Sequence, residues 1–256
     1  MSQEVRYYTS FDQDFEETRN QNAKIPENYK WIHHNPFYCF FSFLLNVAVV
    51  VMDFIYMKFI GHIKVKNRSL LLKAKIKGGY FIYSNHTILF GDVVNPFCIA
   101  FPTHPYIICS PSNLGIPVAG KMLPMAGALP IPDNAKDIKK LGETIETRLK
   151  QRNAIVTYPE SHLWPYYTKI RPFAKAAFHY PVKYNAPVYV STSTFQKSRW
   201  HKKPNITIYL DGPFYPDEDL SKKEAQAKLH YEVQKTMERR AKHSTYEYII
   251  YRKKSS

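Results

Sequence analysis

The most apolar part of the chain is residues 35–61, NPFYCFFSFLLNVAVVVMDFIYMKFIG, and its flanks carry helix signals. Asn35 is a residue type that caps a helix start, Pro36 suits the first turn, and Gly61 suits the end. The 24 residues between Pro36 and Gly61 would span about 36 Å as a helix. That length is enough to cross a hydrocarbon core of about 30 Å. The pattern therefore predicts a hydrophobic helix here.

Three polar side chains interrupt this helix on one face. Ser42, Asn46 and Asp53 follow spacings of four and seven residues, which places them within about 40° of one another around a helix. A carboxylate in mid-bilayer is costly, so this polar face argues against a simple crossing. We expect the helix to lie in one leaflet or against the domain, an ordinary core helix being the alternative. The residues expected to face the membrane are Phe40, Phe41, Leu44 and Leu45.

From residue 62 onward, short β-type runs alternate with helical patterns, which is typical of an α/β domain. Asp133 or Asn134 opens an amphipathic helix with apolar residues three and four apart. Near the end of the chain, Ser221 and Glu224 stand in capping-box register. The pattern predicts one central sheet flanked by helices. Its expected strands are residues 79–84, 105–109, 127–131, 153–158, 187–194 and 205–210.

The chain divides into three parts on this pattern. Residues 1–28 are polar and partly acidic, unlike a secretory signal, and we expect a flexible N-terminal arm there. Residues 29–61 form the predicted hydrophobic, membrane-associating helical region, and residues 62–256 form the α/β domain. The total of 256 residues fits one large domain with this appendage.

Charge indicates the kind of partner. The formal net charge of +15 favours an anionic membrane surface, a nucleic acid or a phosphorylated substrate. The sequence has no Walker or dinucleotide-binding glycine loop and no helix-turn-helix, zinc-finger or RRM signature. Cys39, Cys98 and Cys109 lack metal-ligand spacing, so we expect reduced cysteines in a cytosolic setting and no metal site.

A histidine and an acid follow the first expected strand of the domain, in SNHTILFGD at residues 84–92. A histidine can act as a general base when a carboxylate holds its other ring nitrogen protonated. Residues six apart lie about 120° apart around a helix. We therefore expect His86 in the turn before a helix, with Asp92 reaching back from the first turns of that helix. Many such pairs are only structural, and the pair alone leaves that alternative open.

Four blocks in a fixed order give this pair a context. SNHTILFGD is followed by PVAGKMLPMAGALPIPDN at 117–134, YPESHLW at 158–164 and APVYV at 186–190. Together they resemble the lysophospholipid acyltransferase superfamily, which shows an Asn-His with a downstream acid, an apolar glycine-rich block, a Phe-Pro-Glu-Gly-Thr-Arg block and a Val-Pro-type strand. The match covers roughly residues 80–195, and a preceding hydrophobic helical region is usual for that family.

The resemblance implies a membrane-associated acyltransferase with a glycerolipid-acyltransferase-like α/β fold. His86 would take the proton from an acceptor hydroxyl as it attacks an acyl thioester, Asp92 would orient His86, and Glu160 would help shape the acceptor site. The implied partners are membrane lipids and, as co-substrate, acyl-CoA or acyl carrier protein, at the cytoplasmic face. No other cofactor and no nucleic acid are expected. No acyl-enzyme is needed, which suits the lack of a nucleophile elbow.

Several positions depart from the family pattern. Five residues separate His86 from Asp92 where the family has four, unless Gly91 forms a bulge that restores the geometry. Asn134 stands where the family has an arginine, and Ser161 begins the tripeptide that replaces Gly-Thr-Arg. In the family those arginines are thought to hold an acceptor phosphate. Nearby basic residues could substitute, or the acceptor could lack a phosphate monoester. The expected acceptor-binding residues are Glu160, Ser161, Asn134, Lys121, Arg171 and Lys175, with Lys169 as a further basic candidate.

Aromatic residues follow Glu160 closely, in HLWPYYTK at 162–169. One interpretation is an interfacial rim for lipid entry, with Trp164 facing the membrane beside Tyr166 and Tyr167. The other is plain aromatic packing, and the sequence leaves both open.

Two function classes compete with the acyltransferase. A catalytically impaired, lipid-binding relative is favoured by the missing arginines, whereas the retained His86 and Asp92 favour the enzyme. A basic nucleic-acid-binding protein ranks last because it leaves the apolar helix and the motif order unexplained.

Overall fold

The computed structural model of the protein describes residues 3–16, 23–72 and 78–254. Its strands are β1 Glu4–Tyr8, β2 Ile63–Lys66, β3 Tyr80–Ser84, β4 Pro105–Cys109, β5 Ala128–Pro130, β6 Ala154–Thr157, β7 Val188–Gln196, β8 Asn205–Phe214 and β9 Ile249–Lys253. Seven of them form one sheet in the order β2-β8-β7-β3-β6-β4-β5. In it β7 and β8 run antiparallel and the other neighbours run parallel. The six predicted strands are present as β3 to β8, which confirms the α/β class.

The described residues form seven α-helices, and three of them begin where the sequence places their caps. They are α1 Pro36–Ile55, extended by a π-helical turn Tyr56–Ile60, then α2 Ser69–Leu72, α3 Gly91–Ala100, α4 Ala119–Ala126, α5 Ala135–Lys150, α6 His179–Lys183 and α7 Lys222–Ala241. Asn35 accepts hydrogen bonds from the N–H groups of Phe37 and Tyr38 at 2.9 and 3.1 Å. Asn134, rather than Asp133, caps α5. Ser221 and Glu224 form the predicted capping box before α7.

Both faces of the sheet are covered, because side chains alternate along its central strand β3. Tyr80 and Ile82 belong to one buried cluster, which also holds Ile99 of α3. Phe81 and Tyr83 belong to the other cluster, which takes in residues of α5 and α7. All five residues of β3 are buried, as expected for a strand inside a mostly parallel sheet. The carboxyl end of β3 therefore lies in the middle of the sheet.

The polar face of α1 is turned toward the domain. The Ser42 hydroxyl and the Asn46 amide both donate to the carbonyl of Met125 in α4. The Asp53 carboxylate accepts a hydrogen bond from the N–H of Cys98 in α3 at 2.9 Å. The predicted polar face is thus the docking face of the helix, and each of its three polar side chains makes a hydrogen bond to the domain.

The opposite face of α1 is left uncovered. Pro36–Ile60 is long and apolar enough to cross a membrane, with a mean hydropathy of 2.1, and 6 % of its apolar window is buried. Phe40, Phe41 and Leu44 are 57 %, 56 % and 46 % exposed, and Leu45 is half-buried. An ordinary core helix would bury these side chains. The alternative of a core helix is therefore wrong.

The N-terminal segment contributes a strand that the sequence pattern does not reveal. β1 pairs in parallel with β9 as a separate two-stranded sheet. The carbonyl of Gln13 accepts a hydrogen bond from the indole of Trp164 at 2.7 Å. These contacts hold the described residues 3–16 against the domain, so a flexible arm does not describe that part. The remainder of the expected arm up to residue 28 includes residues 17–22, which lie outside the described residues.

Trp164 is fully buried, and its expected membrane-facing position is wrong. Its ring contacts the rings of Tyr8, Phe11, Phe15 and Tyr251. The N-terminal segment and β9 cover the indole from sequence distances that no local pattern reports. The packing interpretation of HLWPYYTK therefore holds for Trp164.

Candidate active site

The site begins where β3 ends, and Asn85 fixes the chain at that point. The side-chain amide of Asn85 donates to the carbonyl of Ser193 at 3.1 Å and accepts from the N–H of Ser193 at 2.8 Å. These two bonds continue the pairing of β3 with β7 through a side chain. Asn85 is buried, so the next residue, His86, starts from a rigid position.

His86 and Asp92 meet as predicted. The Nδ1 atom of His86 lies 2.8 Å from the Oδ2 atom of Asp92. The same oxygen accepts hydrogen bonds from the N–H groups of Thr87 and Ile88 at 2.8 and 2.9 Å. The turn after His86 thus wraps around the carboxylate, which lies in the first turn of α3. Asp92 itself is buried.

The five-residue spacing is accommodated by the turn. Gly91 is the first residue of α3 rather than a bulge. A Cβ atom at Gly91 would lie 2.5 Å from the side chain of Ile88 and 2.6 Å from that of Asn95. Real carbon contacts do not come so close, so the tight approach of the turn to α3 requires glycine there.

Within the described part of the chain, one ring nitrogen of His86 has a hydrogen-bond partner and the other has none. A carboxylate only accepts hydrogen bonds, so Nδ1 carries the proton and Nε2 is the acceptor. The ring stacks on Tyr158, with 4.5 Å between centroids, and the Tyr158 hydroxyl donates to the carbonyl of Asp92. Burial raises the pKa of Tyr158 well above its usual value, so it stays a donor. The His86 side chain is 22 % exposed. Part of the imidazole is therefore accessible from solvent.

Glu160 holds the backbone of His86 in place. Its Oε2 atom accepts the N–H of His86 at 3.2 Å and the guanidinium of Arg171 at 3.1 Å. Its Oε1 atom accepts the N–H of Arg171 at 2.9 Å. Burial raises the pKa of Glu160, and Arg171 and these backbone donors oppose that shift. Glu160 is itself buried, and its contacts are with the backbone of His86 and with the backbone and guanidinium of Arg171.

Arg171 is only 1 % exposed, and its predicted contact with an acceptor is wrong. Its guanidinium also donates to the carbonyls of Phe11 and His162 and lies 4.9 Å from the Trp164 ring centroid. The buried carboxylate of Glu160 draws Arg171 inward, because a buried charge needs a partner. The arginine therefore belongs to the support of the site.

The other expected acceptor residues lie on the surface. Asn134 is occupied as the cap of α5, where its side chain bonds both the N–H and the carboxylate of Asp137. Ser161 is exposed directly after Glu160, with a φ of 65°. Lys121 in α4 and Lys175 are exposed. Their contact with an acceptor stays a prediction.

Two backbone contacts that sequence reasoning missed hold the loop of His86 in place. The N–H of Trp164 donates to the carbonyl of His86 at 3.1 Å, and the N–H of Tyr166 donates to the carbonyl of Thr87 at 2.8 Å. Main-chain pairing of this kind leaves no mark on side-chain pattern. Tyr158 was also missed as a support of His86, although it lies only two residues before Glu160 and begins the same block.

An apolar rim lies beside the site. Leu89, Phe90 and Val93 are 55 %, 45 % and 49 % exposed. The ring of Phe90 contacts that of Tyr56 at 4.9 Å between centroids. The uncovered apolar face of α1 and its π-helical turn therefore continues onto the start of α3, within a few residues of His86.

Comparison with known proteins identifies the fold. No family model matches the chain, and no curated protein matches it in sequence. Six chains of solved structures resemble it in three dimensions. One is the crystal structure of the 1-acyl-sn-glycerophosphate (LPA) acyltransferase, PlsC, from Thermotoga maritima, at a TM-score of 0.56 and 14 % identity, covering 84 % of this chain and 92 % of that chain. The protein thus has the α/β fold of that structure, as the order of the four sequence blocks predicted.

Proposed function

We propose that the protein is an acyltransferase that moves a fatty acyl group from an acyl thioester to a hydroxyl of a lysophospholipid or related glycerolipid. Acyl-CoA or acyl carrier protein would be the donor, and no other cofactor enters the reaction. The observation that carries the proposal is the 2.8 Å contact between His86 and Asp92, just beyond the carboxyl end of a buried strand. The fold shared with a solved LPA acyltransferase supports the same reaction class.

The reaction follows from the free Nε2 atom of His86. The acceptor oxygen attacks the thioester carbonyl carbon and forms the C–O bond while Nε2 takes the hydroxyl proton. Asp92 stabilises the imidazolium that results, through Nδ1–H. The tetrahedral intermediate then expels the thiolate as the C–S bond breaks, and the Nε2 proton passes to the sulfur. The chain supplies the base and its orientation, and no covalent acyl-enzyme forms.

Asp92→Asn separates the charge of Asp92 from its hydrogen bonds. One oxygen of Asp92 accepts all three contacts of the turn, so an asparagine carbonyl can keep the turn. The imidazolium would lose its compensating charge, and we expect kcat to fall by at least about 10²-fold with little change in KM. The measurement is diacyl product formed from labelled acyl-CoA or acyl carrier protein and a panel of lysolipids. Wild-type activity in the Asp92→Asn variant would contradict the mechanism.

We further propose that the protein associates with the cytoplasmic face of a membrane through the uncovered face of α1. The polar face of α1 is engaged by α3 and α4, which suits a helix lying in one leaflet beside the domain. The apolar rim at Leu89, Phe90 and Val93 would then lie at the lipid surface, so that a lysolipid reaches His86 without leaving the interface. The net charge of +15 favours anionic lipid.

Phe40→Glu combined with Leu44→Glu tests this placement. Each buried large apolar side chain contributes about 1.5–3 kcal/mol, so we expect the double variant to lower partitioning into liposomes by about 100-fold or more. Both side chains are exposed in the protein alone, so its melting temperature should hold. The measurement is co-sedimentation with vesicles.

Tyr231→Glu is the control for the membrane test. Tyr231 lies on α7 and is 63 % exposed, and its substitution introduces one negative charge, half of the charge added in the α1 variant, away from α1. Equal loss of vesicle binding in Tyr231→Glu and the α1 variant would refute α1 as the membrane-binding element.

A lipid-binding protein without turnover is the second candidate function. It is favoured by one observation: Asn134, at one of the usual arginine positions, is a helix cap, and Arg171, a nearby basic residue that could substitute, is buried. This candidate predicts saturable lysolipid binding with no product from any donor. The product assay above decides between the two.

A further inference from the structure

A cavity lies at the strand ends opposite to those that carry His86. It has a volume of about 250 Å³ and is lined by α1, α4, α5 and the segment before α1. His104, immediately before β4, and Ala128, at the start of β5, also line it. The strands from β3 to β5 are parallel, so this cavity is at their amino ends, whereas His86 follows a carboxyl end. It is a separate site from the one that holds His86 and Asp92.

Four polar atoms in this cavity are buried without a hydrogen-bond partner among the described residues. They are the indole nitrogen of Trp31, the hydroxyl of Tyr38, the Nε of Arg148 and the Oδ1 of Asn46. A buried unpaired polar group costs about 1–3 kcal/mol, and clusters of them are rare in native proteins. Three of the four can donate. The cavity is therefore built to receive a group rich in acceptor oxygens.

The charged side chains that line the cavity are basic. Arg148, whose guanidinium lies 4.5 Å from the Tyr106 ring centroid, and Lys30 line it, and none of its described lining residues is acidic. Burial and Arg148 lower the pKa of His104 to about 4, so His104 stays neutral at pH 7. The cation on Arg148 has no carboxylate partner within the described part of the chain. An anionic group would supply it.

The mouth of the cavity opens beside the apolar face of α1. Cys39 and Phe43 of α1 line the cavity and are exposed. Ser42 and Asn46, on the docking face of α1, also line it. A ligand in this place would have its charged end under the first half of α1 and an apolar end along the exposed helix surface.

We propose that this cavity binds the phosphate headgroup of an anionic membrane phospholipid that is not a substrate, with Arg148, Tyr38 and Trp31 as its ligands. The inference that the phosphate belongs to a lipid rests on the proposed membrane contact of α1. The inference that the ligand is a phosphate group does not depend on that contact. The bound lipid would hold the amino-terminal half of α1, at the strand ends opposite to those that carry the catalytic pair.

The test is vesicle binding of the full chain without acyl donor, so its outcome is independent of catalysis. Vesicles of phosphatidylcholine are compared with the same vesicles containing phosphatidylglycerol. Arg148→Gln should weaken the preference for phosphatidylglycerol by at least about tenfold, since hydrogen bonds to a charged group are strong. Tyr38→Phe removes only the hydroxyl and keeps the ring that stacks on His33. It should weaken the preference in the same direction, and it carries the test if Arg148→Gln fails to fold.

Lys139→Gln is the matched control. Lys139 lies on the same helix, α5, with an 80 % exposed side chain, and its loss removes the same charge at the surface. One surface cation should change the preference by no more than about fivefold. Equal effects of Arg148→Gln and Lys139→Gln, or no effect of Tyr38→Phe, would overturn the site.

Inorganic phosphate distinguishes the source of the ligand. The fluorescence of Trp31 is measured in a Trp164→Phe, Trp200→Phe background. Inorganic phosphate should leave that fluorescence unchanged at concentrations at which phosphatidylglycerol vesicles change it. Tight phosphate binding in solution that depends on Arg148 would replace the lipid with a free phosphate compound and overturn the proposal as stated.

Discussion

His86→Ala should lower kcat for acyl transfer by about 10²–10⁴-fold, the range that one general base supplies. The side chain is partly exposed, and its ring stacks on one tyrosine, Tyr158. Its removal leaves the backbone bonds of His86 to Glu160 and Trp164 in place. We therefore expect a folded variant with unchanged lysolipid binding. The measurements are initial rates with saturating donor and acceptor and a thermal unfolding curve.

His179→Ala is the control for this variant. His179 is an exposed histidine at the start of α6, so its loss tests for a general effect of removing an imidazole. Its activity should match wild type. A folded His86→Ala protein with undiminished activity would remove His86 from the mechanism and would require another base.

Arg171→Ala should lower the free energy of unfolding by about 3–5 kcal/mol, because it leaves the Glu160 carboxylate buried without its counter-ion. The loss should be larger at pH 8 than at pH 5. Without the guanidinium the pKa of Glu160, already raised by burial, rises further, and protonation at low pH removes the unpaired charge. Denaturant unfolding at the two pH values measures this. Activity should fall as well, because Glu160 positions the N–H of His86.

Two variants separate the buried charge from other effects. Glu160→Gln combined with Arg171→Met removes both charges of this buried pair, so it should recover part of the stability lost in Arg171→Ala. Arg239→Ala removes an arginine that is 65 % exposed and lies 3.6 Å from Asp211, and it should cost less than about 1 kcal/mol. Similar losses in Arg239→Ala and Arg171→Ala would mean that the Glu160–Arg171 pair contributes no special stability.

The parts of the fold that the sequence predicts are those with local signals. The strands from β3 to β8 are short apolar runs between turn residues, and α1, α5 and α7 start at their own capping side chains. The contact of His86 with Asp92 was equally accessible, because both residues lie in one turn and the start of one helix. A resemblance in the order of four blocks supplied the rest of the context.

The parts that the sequence could not predict depend on distant segments. β1 and β9 pair across almost the whole chain, and both are short and partly charged. Trp164 is buried by the N-terminal segment, where Gln13 accepts its indole hydrogen bond from 151 residues away in sequence. The sequence does not show which residue an arginine pairs with, so it predicts Arg171 at an acceptor. The partner of Arg171 is the buried carboxylate of Glu160, and that burial depends on the tertiary structure.

The hydrogen bond from the N–H of Cys98 to Asp53 has a geometric consequence for the proposed function. It joins α1 to α3, the helix whose first turn carries Asp92. With α1 lying in one leaflet, as we propose, the depth of α1 in the lipid would set the height of the His86 imidazole above the acyl chains. Protein contacts rather than bilayer thickness would then fix that height, and a lysolipid would need to rise only as far as its own hydroxyl to be acylated.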